Sequence, residues 1–191
     1  SFNYIDFMAY IICGLCIYVP YALEKYFHII IFEEFRFIIT FQVMLHGTFG
    51  KYFGFYDKYP LFDSYLHVLG GACLAFLAIP IFHSIELNYS NHKARAIKLK
   101  VNISTFNFVN SIGVLWEISE FISDIMFGGI PGYRLAQENS LFDTMTDLIE
   151  NNIGSIIAIF IFWRIIESAR MKHRNINNLI KKVVISTDSD K

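Results

Sequence analysis

The sequence has few charged residues for its length, and this scarcity limits the classes of protein that it can represent. Asp, Glu, Lys and Arg together make up 17% of the 191 residues, whereas a typical soluble domain carries about 25%. The net charge is −1, so the chain has no overall positive field that would favour a nucleic acid. The composition therefore argues against an ordinary soluble domain and against a nucleic-acid partner.

Cysteine is also scarce, and the three present are Cys13, Cys16 and Cys73. An odd number argues against a framework of paired disulfides. The N-terminal segment lacks the basic region and the cleavage site of a signal peptide, so we do not expect one there. Cys13 and Cys16 have the spacing of a redox pair, but they lie in the apolar stretch 10–19, where thiols stay protonated. We therefore expect small buried side chains here rather than a redox site.

Apolar and aromatic side chains are abundant instead. They include 20 Phe and 11 Tyr, and the mean hydropathy is +0.43. A membrane-spanning helix needs about 20 mainly apolar residues, and the charged, aromatic segment 24–36 is typical of an interfacial helix. The sequence thus predicts an all-α polytopic membrane helix bundle with about five transmembrane helices plus an interfacial helix. The predicted spans are residues 4–23, 37–52, 61–84, 103–127 and 141–163.

Lysine and arginine are distributed unevenly among the links, which predicts the orientation of the chain. The link after the third span holds four basic residues between positions 93 and 100, and the tail after the fifth span is also basic. Basic links face the cytoplasm, so we expect an integral protein of the cell membrane with a cytoplasmic C-terminal tail. We expect a single transmembrane domain over residues 1–185 and a disordered polar tail at 186–191.

Three of the predicted spans carry polar residues at the spacing of one helix face. A charged side chain near the centre of a bilayer costs about 2.5–3.5 kcal/mol, so these residues are expected to face one another rather than lipid. On the predicted topology they all lie in the outer half of the membrane. The three stripes are Asp63 and His67 on the third span, Glu117, Glu120 and Asp124 on the fourth, and Asp143, Asp147 and Asn151 on the fifth.

The six carboxylates of these stripes need neutralising charge. Packed together, they must be protonated, paired with a cation or bound to metal. The basic residues nearby are Lys51, Lys58 and Arg134, all in predicted loops. This deficit favours a bound metal ion or shared protons.

Carboxylate and imidazole ligands suit divalent Mg, Mn, Zn or Fe, so the stripes predict a divalent metal site. Asp63 and Asp143 stand at predicted helix starts, where a carboxylate can instead be an N-cap. His46 on the second span is a possible extra ligand, or a histidine that packs against a neighbouring helix. The predicted metal ligands are Asp63, His67, Glu117, Glu120, Asp143 and Asp147.

Three motifs resemble the YjdF-like family of multi-pass membrane proteins. They are Gly-Phe-Tyr-Asp-Lys-Tyr-Pro at 54–60 with Phe-Asp-Ser-Tyr-Leu-His at 62–67, Leu-Trp-Glu-Ile-Ser-Glu-Phe at 115–121, and Asp-Thr-Met-Thr-Asp-Leu at 143–148 after Gln137. A looser likeness to VanZ-type proteins is also present, although Glu120 stands where that pattern tends to have Gln. The resemblance implies a multi-pass membrane protein and brings no established reaction with it.

The stripes support a metal-dependent enzyme that acts on a lipid or lipid-linked headgroup at the membrane interface. A metal-bound water would attack a phosphate or ester, with Glu120 or Asp124 as the base. Arg134, Gln137 and Asn151 are the predicted substrate-binding residues. Intramembrane carboxylates are also typical of proton- or cation-coupled transporters. The third hypothesis is a non-catalytic assembly or resistance factor whose polar cluster only joins helices.

Overall fold

The computed structural model describes residues 11, 14–15, 17–27, 33–89, 94–138 and 140–171. The predictions for Cys13, for Cys16 and for the tail at 186–191 lie outside these residues, as does half of the first predicted span. The described residues form helices joined by short loops, and no strand occurs among them. The prediction of an all-α fold is therefore confirmed for this part of the chain.

Shorter helices come first in the described chain, and three long helices follow. Their bounds are Val19–Phe27 for α1, Glu33–Met44 for α2, Phe55–Lys58 for α3, Phe62–Tyr89 for α4, Ala94–Phe127 for α5 and Leu141–Met171 for α6. A π-helical segment, Leu45–Tyr52, continues α2 without a break. Gly54 then turns the chain into α3 with a left-handed backbone of φ 67°, which glycine adopts without strain.

Two of the long helices are apolar enough to cross a bilayer, with mean hydropathies of 2.0 over Phe62–Asn88 and 1.5 over Leu141–Ser168. Only 39% and 33% of their apolar stretches are buried within the chain, whereas the core helix of a soluble protein is mostly buried. Large side chains such as Phe142 and Phe160 are exposed. A continuous apolar surface of this kind is stable against lipid rather than water.

Two of the five predicted spans, 61–84 and 141–163, correspond to helices that are long and apolar enough to cross a bilayer. The total of five spans stays a prediction. The predicted span 103–127 lies within α5, whose polar stripe makes the helix less apolar than α4 and α6. The predicted span 37–52 is divided between α2 and the π-helical segment.

The predicted interfacial segment 24–36 includes the end of α1 and the start of α2. Arg36 forms ion pairs with Glu24 and, over 2.7 Å, with Glu33. Its guanidinium also lies 4.4 Å from the ring centre of Tyr21. These contacts join α1 to α2 and pair Arg36 with two carboxylates of the segment.

Helices α4 and α6 run parallel, and α5 runs antiparallel to both. His67 lies beside Asp147 near the start of α4 and α6, and His83 lies beside Trp163 nearer their ends. The start of α5 meets the end of α6, where Trp163 Nε1 donates to Asn102 Oδ1 over 2.7 Å. The end of α5 and the starts of α4 and α6 therefore share one end of the bundle.

Two glycines allow α4 and α6 to touch through their backbones. A Cβ atom at Gly71 would lie 2.1 Å from the carbonyl oxygen of Asn151, and one at Gly154 would lie 2.0 Å from that of Val68. Small residues at membrane helix contacts permit this close approach. The contact places the polar faces of the two helices within reach of each other.

Candidate metal centre

Five side chains from three helices approach one another at the end of the bundle where α4 and α6 begin. His67 Nε2 lies 3.6 Å from a carboxylate oxygen of Asp63 and 3.5 Å from one of Asp147. Glu117, Glu120 and Asp147 form a second group, and within each group the potential ligand atoms lie within 4.8 Å of one another. Asp147 belongs to both groups. We call these five residues the acidic cluster.

Glu117 is the most unusual member of the acidic cluster. The residue is 3% exposed, and neither carboxylate oxygen accepts a hydrogen bond of ordinary geometry, although the polar side chains of Gln137 and Thr144 lie close to them. Gln137 lies close by, but its amide donates to the backbone carbonyl of Glu117 and to the hydroxyl of Thr144. Buried carboxylates are almost always paired, because desolvation of an unpaired charge is costly. The oxygens of Glu117 can therefore bind a cation or take up a proton.

Asp147 is buried to the same degree, with 3% of the residue exposed. Its Oδ2 atom accepts no hydrogen bond and faces His67 Nε2 at 3.5 Å. An imidazole and a carboxylate at this separation can bind one ion between them after a small adjustment. Because Asp147 also belongs to the group with Glu117 and Glu120, it is the residue that joins the two halves of the cluster.

Asn151 lies behind the imidazole of His67. Its amide nitrogen is 3.3 Å from His67 Nδ1, and both side chains are 8% exposed. A histidine that binds a metal through Nε2 carries its proton on Nδ1 and donates it to a neighbour. With its nitrogen toward the ring, the Asn151 amide donates to Nδ1 and fits the tautomer whose proton is on Nε2. Metal binding through Nε2 requires the amide to turn, so that its oxygen accepts from the Nδ1 proton. This contact favours an orienting role, and the binding of substrate by Asn151 stays a prediction.

Asp124 lies outside the two groups of potential ligands and has its own partners. It accepts hydrogen bonds from the hydroxyl of Tyr133 at 2.9 Å, from the backbone of Ala136 at 2.7 Å and from that of Gln137 at 2.9 Å. Burial raises the pKa of the Tyr133 hydroxyl above its ordinary value, so this group stays protonated as a donor. The predicted base therefore has the bonding of a carboxylate that anchors the loop between α5 and α6.

Asp124→Ala is expected to loosen this loop, because three donors lose their acceptor and each unsatisfied group costs about 1–3 kcal/mol. Limited trypsin digestion at Arg134, which lies in the loop, measures the effect as faster cleavage. Tyr133→Phe removes one of the three donors and should accelerate cleavage less. Unchanged cleavage in Asp124→Ala would contradict the anchoring role and favour the role of a base.

An open cavity of about 610 Å³ lies beside the acidic cluster, and we call it the acidic vestibule. Arg134 lines it but already pairs with Glu138 at 2.6 Å and with Asp57 at 3.2 Å. Six carboxylates and one arginine line the vestibule, so it attracts cations and repels anions. These surroundings are unfavourable for the predicted contact of Arg134 with an anionic headgroup. The charged residues of the vestibule are Asp57, Asp63, Glu138, Asp143, Asp147, Glu150 and Arg134.

Asp143 and Glu150 both line the acidic vestibule rather than the acidic cluster. Each has one buried carboxylate oxygen that accepts no hydrogen bond. Sequence reasoning predicted Asp143 as a ligand and missed Glu150. The signal was present, because Asp143, Asp147 and Glu150 are spaced i, i+4 and i+7 on α6 and thus share a face.

A second cavity, of about 280 Å³, lies on the other side of the cluster between α2, the π-helical segment, α4 and α5. We call it the apolar cavity. His46 lines it with Nδ1 2.6 Å from the hydroxyl of Tyr56 and with its ring edge-on to Trp116. His46 belongs to neither ligand group, and it packs as a histidine that faces neighbouring elements. Glu120 lines the same cavity and accepts a hydrogen bond from Trp116 Nε1 at 2.8 Å.

Residues 3–168 match the sequence model of a family described as "Predicted membrane protein (DUF2238)". A protein of Thermotoga maritima, described as an uncharacterized protein, is 28% identical over 160 residues, which cover 84% of this chain and 78% of the relative. No solved structure gives a significant match. The resemblance to YjdF-like and VanZ-type proteins stays a prediction beside this match.

Proposed function

We propose that this chain, which belongs to the family of predicted membrane proteins (DUF2238), binds divalent metal in its acidic cluster and uses it for hydrolysis at the membrane interface. The observation that carries the proposal is Glu117, a buried carboxylate whose two oxygens accept no hydrogen bond. It lies beside Glu120 and Asp147, so like charges surround it. One divalent cation would offset two of these three negative charges and would give the unpartnered oxygens a ligand bond.

The protein offers little positive charge of its own at this place. Among the charged residues that line the acidic vestibule in the described structure, Arg134 is the one cation, and two carboxylates already bind it. His67 is the one potential cation in the acidic cluster. The vestibule raises the local concentration of cations next to the cluster, which supports metal entry from this side.

The composition of the cluster limits the metal. One imidazole with three carboxylates, or with four where Glu120 is a ligand instead of the base, suits Mn²⁺, Zn²⁺ or Fe²⁺. Mg²⁺ fits an all-oxygen subset of the same residues. Asp147 is shared by both ligand groups, so it is the proposed bridge if two ions bind. Carboxylates on facing helices hold paired ions in this manner in helix bundles.

A bound metal supplies an activated water or polarises a carbonyl or phosphoryl oxygen. Glu120 is the proposed base, because it belongs to the acidic cluster and also lines the apolar cavity. Its hydrogen bond from Trp116 fixes one carboxylate oxygen and leaves the other for a proton. The proposed reaction is therefore hydrolysis of an ester in a lipid-like substrate, because the acidic surroundings disfavour an anionic phosphoester.

Asp147→Asn is expected to weaken Mn²⁺ binding by more than about 100-fold, since loss of even an outer-shell partner costs about 10- to 100-fold. Asp63→Asn should weaken it less, because Asp63 belongs to one ligand group only. Equilibrium dialysis of the full chain in lipid nanodiscs measures both. Glu167→Gln is the control, because Glu167 is exposed near the other end of α6. Wild-type affinity in Asp147→Asn would overturn the proposal.

A cation pathway is the second candidate, and buried hydroxyls further along the bundle favour it. Ser84, Thr105 and Ser155 are 0% exposed, and their hydroxyl oxygens have no hydrogen-bond partner. Between them and the cluster, Asn152 donates to Asn110 over 3.1 Å. Polar groups inside a membrane commonly mark the route of an ion or proton.

Thr105→Val separates the two candidates, because Thr105 lies far from the acidic cluster on α5. A pathway predicts that this variant loses most Mn²⁺ uptake into proteoliposomes while it keeps wild-type Mn²⁺ binding. Ser111→Ala is the control, since Ser111 is exposed and bonds only within its own helix. Absence of uptake by the wild-type protein would exclude the pathway and leave the hydrolase proposal standing.

A further inference from the structure

The apolar cavity has two chemically different ends. Ile39, Leu77 and Ile112 line it with hydrocarbon, whereas Glu120 and Asp63 bring the acidic cluster to its wall. Membrane lipids have this same division between an apolar chain and a polar head. The polarity of the cavity therefore matches an amphiphile whose chain would lie between α2, α4 and α5 and whose head would lie at the carboxylates.

The volume of the cavity limits the number of chains. About 280 Å³ is just below the range of about 300–1,000 Å³ that is typical of small-molecule sites. This space favours a single hydrocarbon chain over the two chains of a diacyl lipid. A single-chain amphiphile also exchanges from a bilayer more readily than a two-chain lipid does, because less apolar surface must leave the bilayer.

The polar end of the cavity defines the head. Gln42 lines it, and its amide nitrogen donates to the carbonyl of Leu66 at 2.8 Å. Its buried Oε1 atom accepts no hydrogen bond. Glu120 is a second acceptor. No Lys or Arg lines the cavity in the described structure. A head that donates a hydrogen bond is therefore favoured, and an anionic head is disfavoured.

We infer that the apolar cavity binds an uncharged amphiphile with one hydrocarbon chain and a hydroxyl-bearing head. Its role as the substrate, or as the alcohol product of ester hydrolysis, rests on the proposed function. Hydrolysis of the ester breaks the acyl–oxygen bond: the hydroxide of one water joins the acyl carbon, and the alcohol keeps its oxygen and takes the first proton. The acid then leaves as a carboxylate and releases the second proton to water. The binding itself rests only on the cavity.

Photocrosslinking tests this binding in the full chain. Hexadecanol that carries a diazirine near its chain end is added to protein in phosphatidylcholine nanodiscs, and labelled peptides are identified by mass spectrometry. Labelling is expected in the α4 and α5 peptides that line the cavity. Leu77→Trp fills the cavity and should reduce labelling at least about tenfold, a loss of about 1.4 kcal/mol in binding. Ile39→Trp fills it from α2 and replaces that variant if Leu77→Trp does not fold.

Ile157→Trp is the control, because Ile157 is exposed on α6 and does not line the cavity; it should label as the wild type does. Excess unlabelled hexadecanol should remove the label, and palmitate should not. Labelling that is unchanged by both cavity-filling variants, or that palmitate removes equally well, would overturn the inference. Labelling that persists in a protein found by dialysis to bind no metal would overturn the proposed function alone.

Discussion

Glu117→Gln is expected to leave the metal-free protein at least as stable as the wild type and to abolish its stabilisation by metal. Without metal, the variant replaces a buried carboxylate that accepts no hydrogen bond by a neutral amide of the same shape. A buried charge without a partner is costly, so we expect its replacement by a neutral group to be neutral or stabilising. With metal at about 100 times its dissociation constant, the wild type gains about 2.7 kcal/mol, and the variant gains far less because it lacks a ligand.

Thermal unfolding in nanodiscs measures the stability of the variant relative to the wild type, first with chelator and then with added Mn²⁺ or Zn²⁺. Glu167→Gln makes the same chemical change at the exposed, opposite end of α6, and it should follow the wild type in both conditions. Destabilisation of Glu117→Gln in chelator would show that Glu117 already has a partner within the protein. An equal gain from metal in variant and wild type would place the metal elsewhere.

Gly154→Ala is expected to destabilise the bundle strongly although alanine is the better helix former. Helix propensity alone predicts a gain of about 1 kcal/mol. However, the new Cβ would lie 2.0 Å from the carbonyl oxygen of Val68, so α4 and α6 must separate. Overpacking of this kind costs about 1–3 kcal/mol or more, and the separation also moves His67 away from Asp147. The variant should therefore lose both stability and metal affinity.

Gly129→Ala is the matched control for this prediction. No atom lies within 4 Å of a Cβ built at Gly129, and replacement of glycine at an unstrained position is neutral or slightly stabilising. Thermal unfolding and metal dialysis of the two variants decide the matter. Gly154→Ala with wild-type unfolding temperature would show that α4 and α6 do not touch through their backbones.

Helical spacing was sufficient to predict which residues of each helix would share a face. Asp63 and His67, or Glu117 and Glu120, are three or four positions apart, and this period is a property of any α-helix. The requirement that charged groups avoid lipid then predicted that the faces would turn toward one another. Glu150 has the same spacing, but the predicted stripe continued from Asp147 to Asn151 and did not include it.

The roles of loop residues were not predictable in this way. Asp124 has the correct helical spacing, but its donors are the backbone groups of Ala136 and Gln137 in the loop before α6. The partners of Arg134 likewise depend on how that loop folds against Asp57. No periodic pattern encodes such contacts, so only a three-dimensional structure assigns these side chains.

The apolar cavity was also not predictable from the sequence. It needs the π-helical segment Leu45–Tyr52, whose wider turns bring His46 against Tyr56. Departures from α-helical geometry of this kind often lie at functional sites, but apolar residues such as Leu77 look the same in sequence whether they face lipid, a neighbour or a cavity. The site therefore has one half that spacing predicts and one half that only packing defines.

Native mass spectrometry of the intact protein, released from nanodiscs, shows whether the acidic cluster holds divalent metal. We expect the wild-type mass to exceed that of the polypeptide by one or two divalent metal ions. This excess should be lost after treatment with chelator and restored by added Mn²⁺ or Zn²⁺, and Glu117→Gln should not regain it. A wild-type protein that shows the mass of the polypeptide alone, before chelation and after addition of each metal, would show that the acidic cluster is not a metal site.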